Sequence, residues 1–332
     1  MTYDLALNLF PDNGPFDASI ADDPAFDPAK HLALEMPAHT LTLFDLGYDE
    51  SILATTPTPI AATSVFRVLS DEGVEAMYHV CKQLEAFTTS NPRIARNTRG
   101  GIYRSKFLRD FSASVEVAAH MSAIMQTPLR PLSMLHNMAH LNYQPLTVGD
   151  NVDKWHYDTL QVDTVMFVTD PNQVEGGEFQ YLKGTRDDMA ALKAEGQPVP
   201  ADRVIAPDMP GAGHAILMQG NYVVHQAKGV RCDGERITLV NGFSYADLEV
   251  ADFTAVGQLM HADPQGVVAA EYARHMALRS AGHLQPLVNQ PDFNADIDTQ
   301  LSVLSRAKHE LEIAMAALER AKTQEEMKHF GD

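Results

Sequence analysis

Between about Ser133 and Tyr245 the chain breaks into short β-rich runs: SMLHNMAHLNY, QVDTVMFVTD, GEFQYL, GHAILMQ, YVVHQA and RITLVNGFSY. Gly, Pro, Asn and Asp punctuate them, the pattern of an antiparallel sandwich or barrel. The flanks read differently. Ser70 is placed to cap a helix over DEGVEAMYHVCKQLEAF, because its hydroxyl can accept from the first free backbone N–H groups. A second helix is expected over 114–125, stopped by Pro128 and Pro131. A short helix is expected over 187–196 between strands. Beyond Asp252 the chain turns helical again and ends in an amphipathic segment expected over 298–327. Residues 1 to about 60 read as an irregular arm with an edge strand near Leu41–Phe44. The division is therefore 1–132, an arm and helices packing on the sheet; 133–250, the β core; and 251–332, a helical extension, all integrated into one domain.

Leu304, Leu311 and Leu318 recur every seven residues in the last helix. One reading is a homodimer contact through the C-terminal helices. The other is a helix packed on its own domain, which Lys308 and Lys322 favour by interrupting the seam.

Composition narrows the partners. The net charge is −19 with no block of Lys and Arg, which argues against a nucleic-acid or anionic-membrane surface. No apolar run approaches the roughly 20 residues of a membrane helix. The first residues, MTYDLALNLFPD, lack the basic start of a signal peptide. The two cysteines, Cys81 and Cys232, suggest neither a disulfide framework nor a thiolate zinc site. A cytoplasmic protein is the simplest expectation.

At the head of the run WHYDTLQVDTVMFV stand His156 and Asp158. With 14 histidines in the chain, about one H-x-D is expected by chance, and a second does occur at His261-x-Asp263. Context separates them: the second lies in helix-like surroundings and is read as chance. Side chains two apart on a strand share a face, so His156 and Asp158 are expected to project inward from Cα atoms about 6.6 Å apart. A third ligand is expected from another strand, and His225 in YVVHQA is the candidate. Arg236 follows the turn signal Cys232-Asp233-Gly234 and shares a strand face with Thr238. A buried Arg is expensive without an anion to pair with, and a carboxylate would satisfy it in two-pronged fashion. Two His and one carboxylate with open positions beside them is the ligand set of non-haem Fe(II) oxygenases.

The order H-x-D, Gly176-Gly177-Glu178-Phe179, Gly213-His214-Ala215-Ile216-Leu217, His225 and Gly234-Glu235-Arg236-Ile237-Thr238 resembles the Fe(II)/2-oxoglutarate-dependent dioxygenases, on their phytanoyl-CoA hydroxylase and prolyl-hydroxylase side. The resemblance covers about a third of the chain. It implies a double-stranded β-helix (jelly-roll, cupin-like) core with helices before and after it. It also implies Fe(II) on His156, Asp158 and His225, with 2-oxoglutarate and O2 as cosubstrates. Arg236 would clamp the distal carboxylate with Thr238 in support, and Asn142 and Tyr143 would hydrogen-bond the cosubstrate. The implied reaction oxidises a substrate C–H bond with release of succinate and CO2. Because Asp158 is kept, where halogenating members lack the carboxylate, hydroxylation or a related oxidation such as desaturation is expected.

A small molecule is the expected substrate. The loop NPRIARNTRGG and the residues after it gather Arg93, Arg96, Arg99, Arg104 and Lys106 around Gly100-Gly101. Arg99, Arg104 and Lys106 are read as a wall recognising a substrate carboxylate or phosphate, against the alternative of a solvated loop balancing nearby acids. His136, His140 and His214 are expected to be structural, Trp155 and Tyr157 to pack away from the metal, and Gly176-Gly177 to form a hairpin. Two other functions stay open: an oxygenase modifying a protein or peptide, and a cupin-type metal protein or isomerase that does not use 2-oxoglutarate and has no need of Arg236.

Overall fold

The computed structural model describes residues 8–323. Eight strands carry the site: β1 (Ala139–Tyr143), β2 (Asp153–His156), β3 (Val162–Phe167), β4 (Phe179–Leu182), β5 (Val204–Ile205), β6 (His214–Met218), β7 (His225–Ala227) and β8 (Ile237–Tyr245). They fall into two antiparallel sheets. The larger runs β6-β3-β8-β1 through its centre, and the smaller runs β5-β4-β7-β2. From β1 to β4 the chain changes sheet at every step, and it does so again from β5 to β8. Thr40–Thr42 and Ile60–Thr63, from the N-terminal arm, extend the larger sheet beyond β6. The expected edge strand thus lies within that arm.

Alternation along the strands sorts the two faces of the larger sheet. Val165, Phe167, Ile216, Met218 and Val240 pack with Phe179 and Tyr181 of the smaller sheet, so the two sheets enclose a common interior. Leu141, Met166, Leu217, Leu239 and Phe243 point the other way, into a second cluster with Met77, Val80 and Leu84 of the helix Asp71–Leu84. That helix starts where Ser70 predicts, with the serine hydroxyl accepting from the Gly73 amide at 3.0 Å. The next helix, Val115–Met125, is capped by Ser114. A short one over Lys106–Ser112 precedes it, unanticipated because its apolar residues, Phe107, Leu108 and Phe111, span little more than one turn. The inserted helix is Arg186–Ala194, fixed by a reciprocal cap between Thr185 and Asp188.

Two long helices, Gln265–Asn289 and Ile297–Ala321, pack against each other after the core. The expected extension of the second to Met327 lies outside the described residues. The helix does pack on its own domain, though through Ala307, Glu310, Ala314 and Ala321. Leu304 and Leu311 of the heptad face solvent. Buried polar contacts hold the pair in place: Arg279 donates to both Glu310 carboxylate oxygens at 3.0 and 2.7 Å. His275 bridges Ser133 at 2.7 Å and Asp252 at 2.8 Å. Among the described residues no helix is long and apolar enough to cross a membrane.

Candidate metal centre

The smaller sheet builds the site. β2 and β7 are antiparallel neighbours, and their register sets His225 directly opposite His156, with ring centroids 4.2 Å apart. Nδ1 of His156 lies 2.6 Å from the Lys154 carbonyl, and Nδ1 of His225 lies 3.0 Å from the Val223 carbonyl. A carbonyl oxygen only accepts, so each Nδ1 carries the proton and each Nε2 presents a lone pair. Both Nε2 atoms face Asp158, whose two oxygens stand 3.4 Å from them, one each. One ligand atom from each of the three residues falls within 4.8 Å of the other two. Donors at right angles about 2.1 Å from a metal would be about 3 Å apart, so the cluster would draw together to hold an ion on one face.

Asp158 does not extend β2 as the two-residue spacing suggested. It sits just past the strand end, where its amide donates to the Gly220 carbonyl at 2.8 Å. Burial alone would raise its pKa, but the two imidazoles facing it, His156 and His225, hold it well below the usual carboxylate range. Burial, with the Arg93 charge second, lowers His156, which keeps the imidazole neutral and its Nε2 free. The opposite holds for Asp163, which is fully buried with neither oxygen hydrogen-bonded. Burial and the Asp158 charge push it well above the usual carboxylate range.

Arg236, 1% exposed, approaches the same cavity from the larger sheet. The cavity is lined by His156, Asp158 and His225 together with Arg236, Thr238 and Asn142. Arg236 Nε donates to the Gly177 carbonyl at 2.7 Å and Nη1 to the Thr238 hydroxyl at 3.3 Å. Nη2 has no partner. Burial pulls the group down to about 10, which still leaves it cationic at neutral pH. The Gly177 backbone is left-handed, with φ +75°, and a Cβ there would stand 3.0 Å from Arg236 Cδ. The Gly-Gly signal, read as a turn, also lets the chain come close enough to hold the guanidinium. A buried cation with an unused N–H, one cavity away from three metal donors, fits a carboxylate that also reaches the metal.

Not every expected residue faces this cavity. Tyr143 is turned outward by the alternation that turns Asn142 inward, and its hydroxyl donates to the Cys81 carbonyl at 2.7 Å. Arg104 stacks on Phe16 and Phe87 and donates to the Ala18 carbonyl at 2.6 Å, which ties down the N-terminal arm. Lys106 is exposed at the start of a helix, its amide bonded to Asp23. Arg99 does reach a cavity, the outer pocket beside the metal ligands, where it is ion-paired with Asp263. The second H-x-D thus serves structure: Asp263 joins Arg99 to His136, 3.3 Å away. Trp155 packs with Leu182, Met189 and Val224, but Tyr157, beyond the strand end where alternation lapses, lines the outer pocket. Two pocket residues are not singled out for the site by the sequence, where Arg93 is one member of the basic loop and His140 is expected to be structural. Arg93, ion-paired with Asp153 at 3.1 Å, and His140 line both cavities.

No family model and no curated protein matches the chain. Among solved structures it is similar to the non-heme alpha-ketoglutarate-dependent epimerase SnoN from nogalamycin biosynthesis, at 16% identity over 56% of this chain and 78% of that one, with a TM-score of 0.43. It is also similar to the alpha-ketoglutarate-dependent carbocyclase SnoK, at 16% identity over 63% and 88%, TM-score 0.43. A third is HygX from Streptomyces hygroscopicus, with nickel and 2-oxoglutarate bound, at 16% identity over 62% and 88%, TM-score 0.40. The first two are non-heme alpha-ketoglutarate-dependent enzymes, and the third holds 2-oxoglutarate. The overlap is partial, so function has to be argued from this chain's own side chains.

Proposed function

We propose that this chain is an Fe(II)/2-oxoglutarate-dependent oxygenase, folded as a double-stranded β-helix, that oxidises a C–H bond of a small molecule, by hydroxylation in the first instance. One observation carries the reading: three inward-facing metal donors share a cavity with a buried arginine that has an unpaired N–H. Strands that alternate between facing sheets support the fold. A cupin-type site without 2-oxoglutarate would leave Arg236 buried and unmatched, at a cost of several kcal/mol.

Bound Fe(II), with 2-oxoglutarate and O2, supplies the oxidising chemistry, releasing succinate and CO2. The protein's own part is positional. His156, Asp158 and His225 would occupy one face of the ion and leave the other open. Arg236 and Thr238 would hold the far carboxylate of 2-oxoglutarate, with Asn142 beside them. The apolar interior of Val165, Phe179 and Val240 keeps water away from that contact. Substrate would enter by the outer pocket, against Gln258, Leu259 and Ala262 of the helix Val256–Ala262. An enclosed approach of this kind favours a small molecule over a polypeptide segment.

The test is an anaerobic absorption titration of the metal-free protein with Fe(II) and then 2-oxoglutarate. A visible charge-transfer band that needs both additions, and that His225→Ala abolishes, is expected. A metal that binds without any band on adding 2-oxoglutarate would refute the proposal and bring the cupin-type reading forward.

A further inference from the structure

The two arginines that line the outer pocket already have partners. Arg93 is matched by Asp153 and Arg99 by Asp263. What remains unmatched there is neutral or already compensated. Asn137, 6% exposed, has an Oδ1 without a partner. Arg99 Nε is likewise buried and unpaired. His140, 6% exposed, lines both this pocket and the metal cavity. Burial holds His140 down to about 3, so its ring offers one N–H and one lone pair across the working pH range. Met134, Leu160 and Leu259 supply the apolar wall.

These groups demand a ligand that both donates and accepts. We infer that the outer pocket takes an uncharged molecule bearing neighbouring hydroxyl groups, held by Asn137, His140 and Arg99 with its hydrocarbon face on Met134, Leu160 and Leu259. One hydroxyl donates to Asn137 Oδ1, another accepts from Arg99 Nε–H, and a neighbouring one bonds to one ring nitrogen of His140. A carboxylate only accepts. It would leave Asn137 unmet and bring a negative charge to arginines that already have partners. An ammonium only donates and leaves the Arg99 N–H unmet. The inference rests on the proposed oxygenase function for the identity of the neighbouring site, and it replaces the expected carboxylate or phosphate on the substrate.

The experiment uses the anaerobic protein loaded with Fe(II) and 2-oxoglutarate, titrated by calorimetry and by its visible band. The probes are of one ring size: myo-inositol, methyl α-glucopyranoside, glucuronate, glucosamine and glucose 6-phosphate. An uncharged polyol is expected to bind and shift the band, with the charged probes at least about tenfold weaker. Asn137→Ala and His140→Leu are each expected to weaken the polyol about tenfold, as for one buried hydrogen bond lost. Tighter binding of glucuronate or the phosphate overturns the inference. So does failure of every probe to bind, or polyol binding that neither variant weakens. Formation of the band before any probe is added reports the oxygenase reading separately. If no band forms, calorimetry of the same probes still decides the pocket's preference.

Discussion

Replacing Arg236 separates the cosubstrate clamp from the metal. Its Nε is committed to the Gly177 carbonyl and its Nη1 lies near Thr238, while Nη2 is free. The guanidinium therefore has the unpaired Nη2 N–H groups, and an Nη1 N–H not directed at Thr238, to offer a carboxylate. Two charge-assisted hydrogen bonds at about 1.5 kcal/mol each amount to about 3 kcal/mol, or about 150-fold in affinity. Arg236→Leu should weaken 2-oxoglutarate by about that factor. Arg236→Lys keeps the charge but loses the fork and the brace to Gly177, so a loss of about tenfold is expected. Fe(II) affinity should change little in either variant, because all three donors belong to β2, β7 and the turn after β2. The assay is an anaerobic titration with 2-oxoglutarate at saturating Fe(II), with Fe(II) binding measured on its own. If Arg236→Leu binds 2-oxoglutarate within about threefold of the parent chain, the guanidinium is not the clamp and the reasoning fails. Lost Fe(II) binding in the same variant would mean the two halves of the site are not independent.

Gly177→Ala should destabilise the fold by about 1–2 kcal/mol, the strain of a side chain in left-handed backbone, and weaken 2-oxoglutarate by pressing on Arg236; urea unfolding and the same titration read both. Asp252 is held at about 2, since the charge and hydrogen bond of His275 outweigh its burial. Its folded value lies below the ordinary 3.8, so it stabilises the fold above pH 3.8 and loses that contribution as pH falls toward 2. Asp252→Asn should therefore be less stable by about 2 kcal/mol at pH 7, with the gap closing below pH 4 in unfolding curves. His140 has the reverse chemistry. Burial depresses it from 6.5 to about 3, so between those values the unfolded chain takes up a proton the fold refuses, and stability falls as pH falls. By pH 5 this is about 2 kcal/mol, and His140→Gln should flatten the slope measured between pH 7 and 5.

What the sequence made legible was what local spacing and chemistry encode. Strand runs and their turns, Ser70 and Ser114 as caps, and His156, Asp158, His225 and Arg236 as a set could all be read from residue type and order. The basic loop could not, because a run of arginines says nothing of the acids it meets. Arg99 finds Asp263 and Arg93 finds Asp153, the first 164 positions away. Tyr143 failed for a simpler reason. Neighbouring positions on a strand face opposite sides, so Asn142 and Tyr143 could not both reach one cavity. His140 shares the Asn142 face and was equally available to that argument, but a histidine without a spacing partner gives no signal of its own.

The two sheets divide the work, and the division makes the site's parts separable. The two candidate histidine donors hang on the smaller sheet, whose register sets them opposite each other, while the Gly220 carbonyl holds Asp158 just past the strand end. The groups proposed to hold the cosubstrate lie on β8 and β1 of the larger sheet, where Thr238 stands opposite Asn142 and Val240 opposite His140. Moving two residues along β1 thus passes from the end of the interior lined by Arg236 and Thr238 to the outer pocket. A substrate held at His140 would on that account lie beside the three candidate metal donors, with Arg236 lining the same inner cavity. Substitutions at Asn137 or His140 should change what is oxidised before they change how the cosubstrate is bound, whereas substitutions on the β8 side should do the opposite.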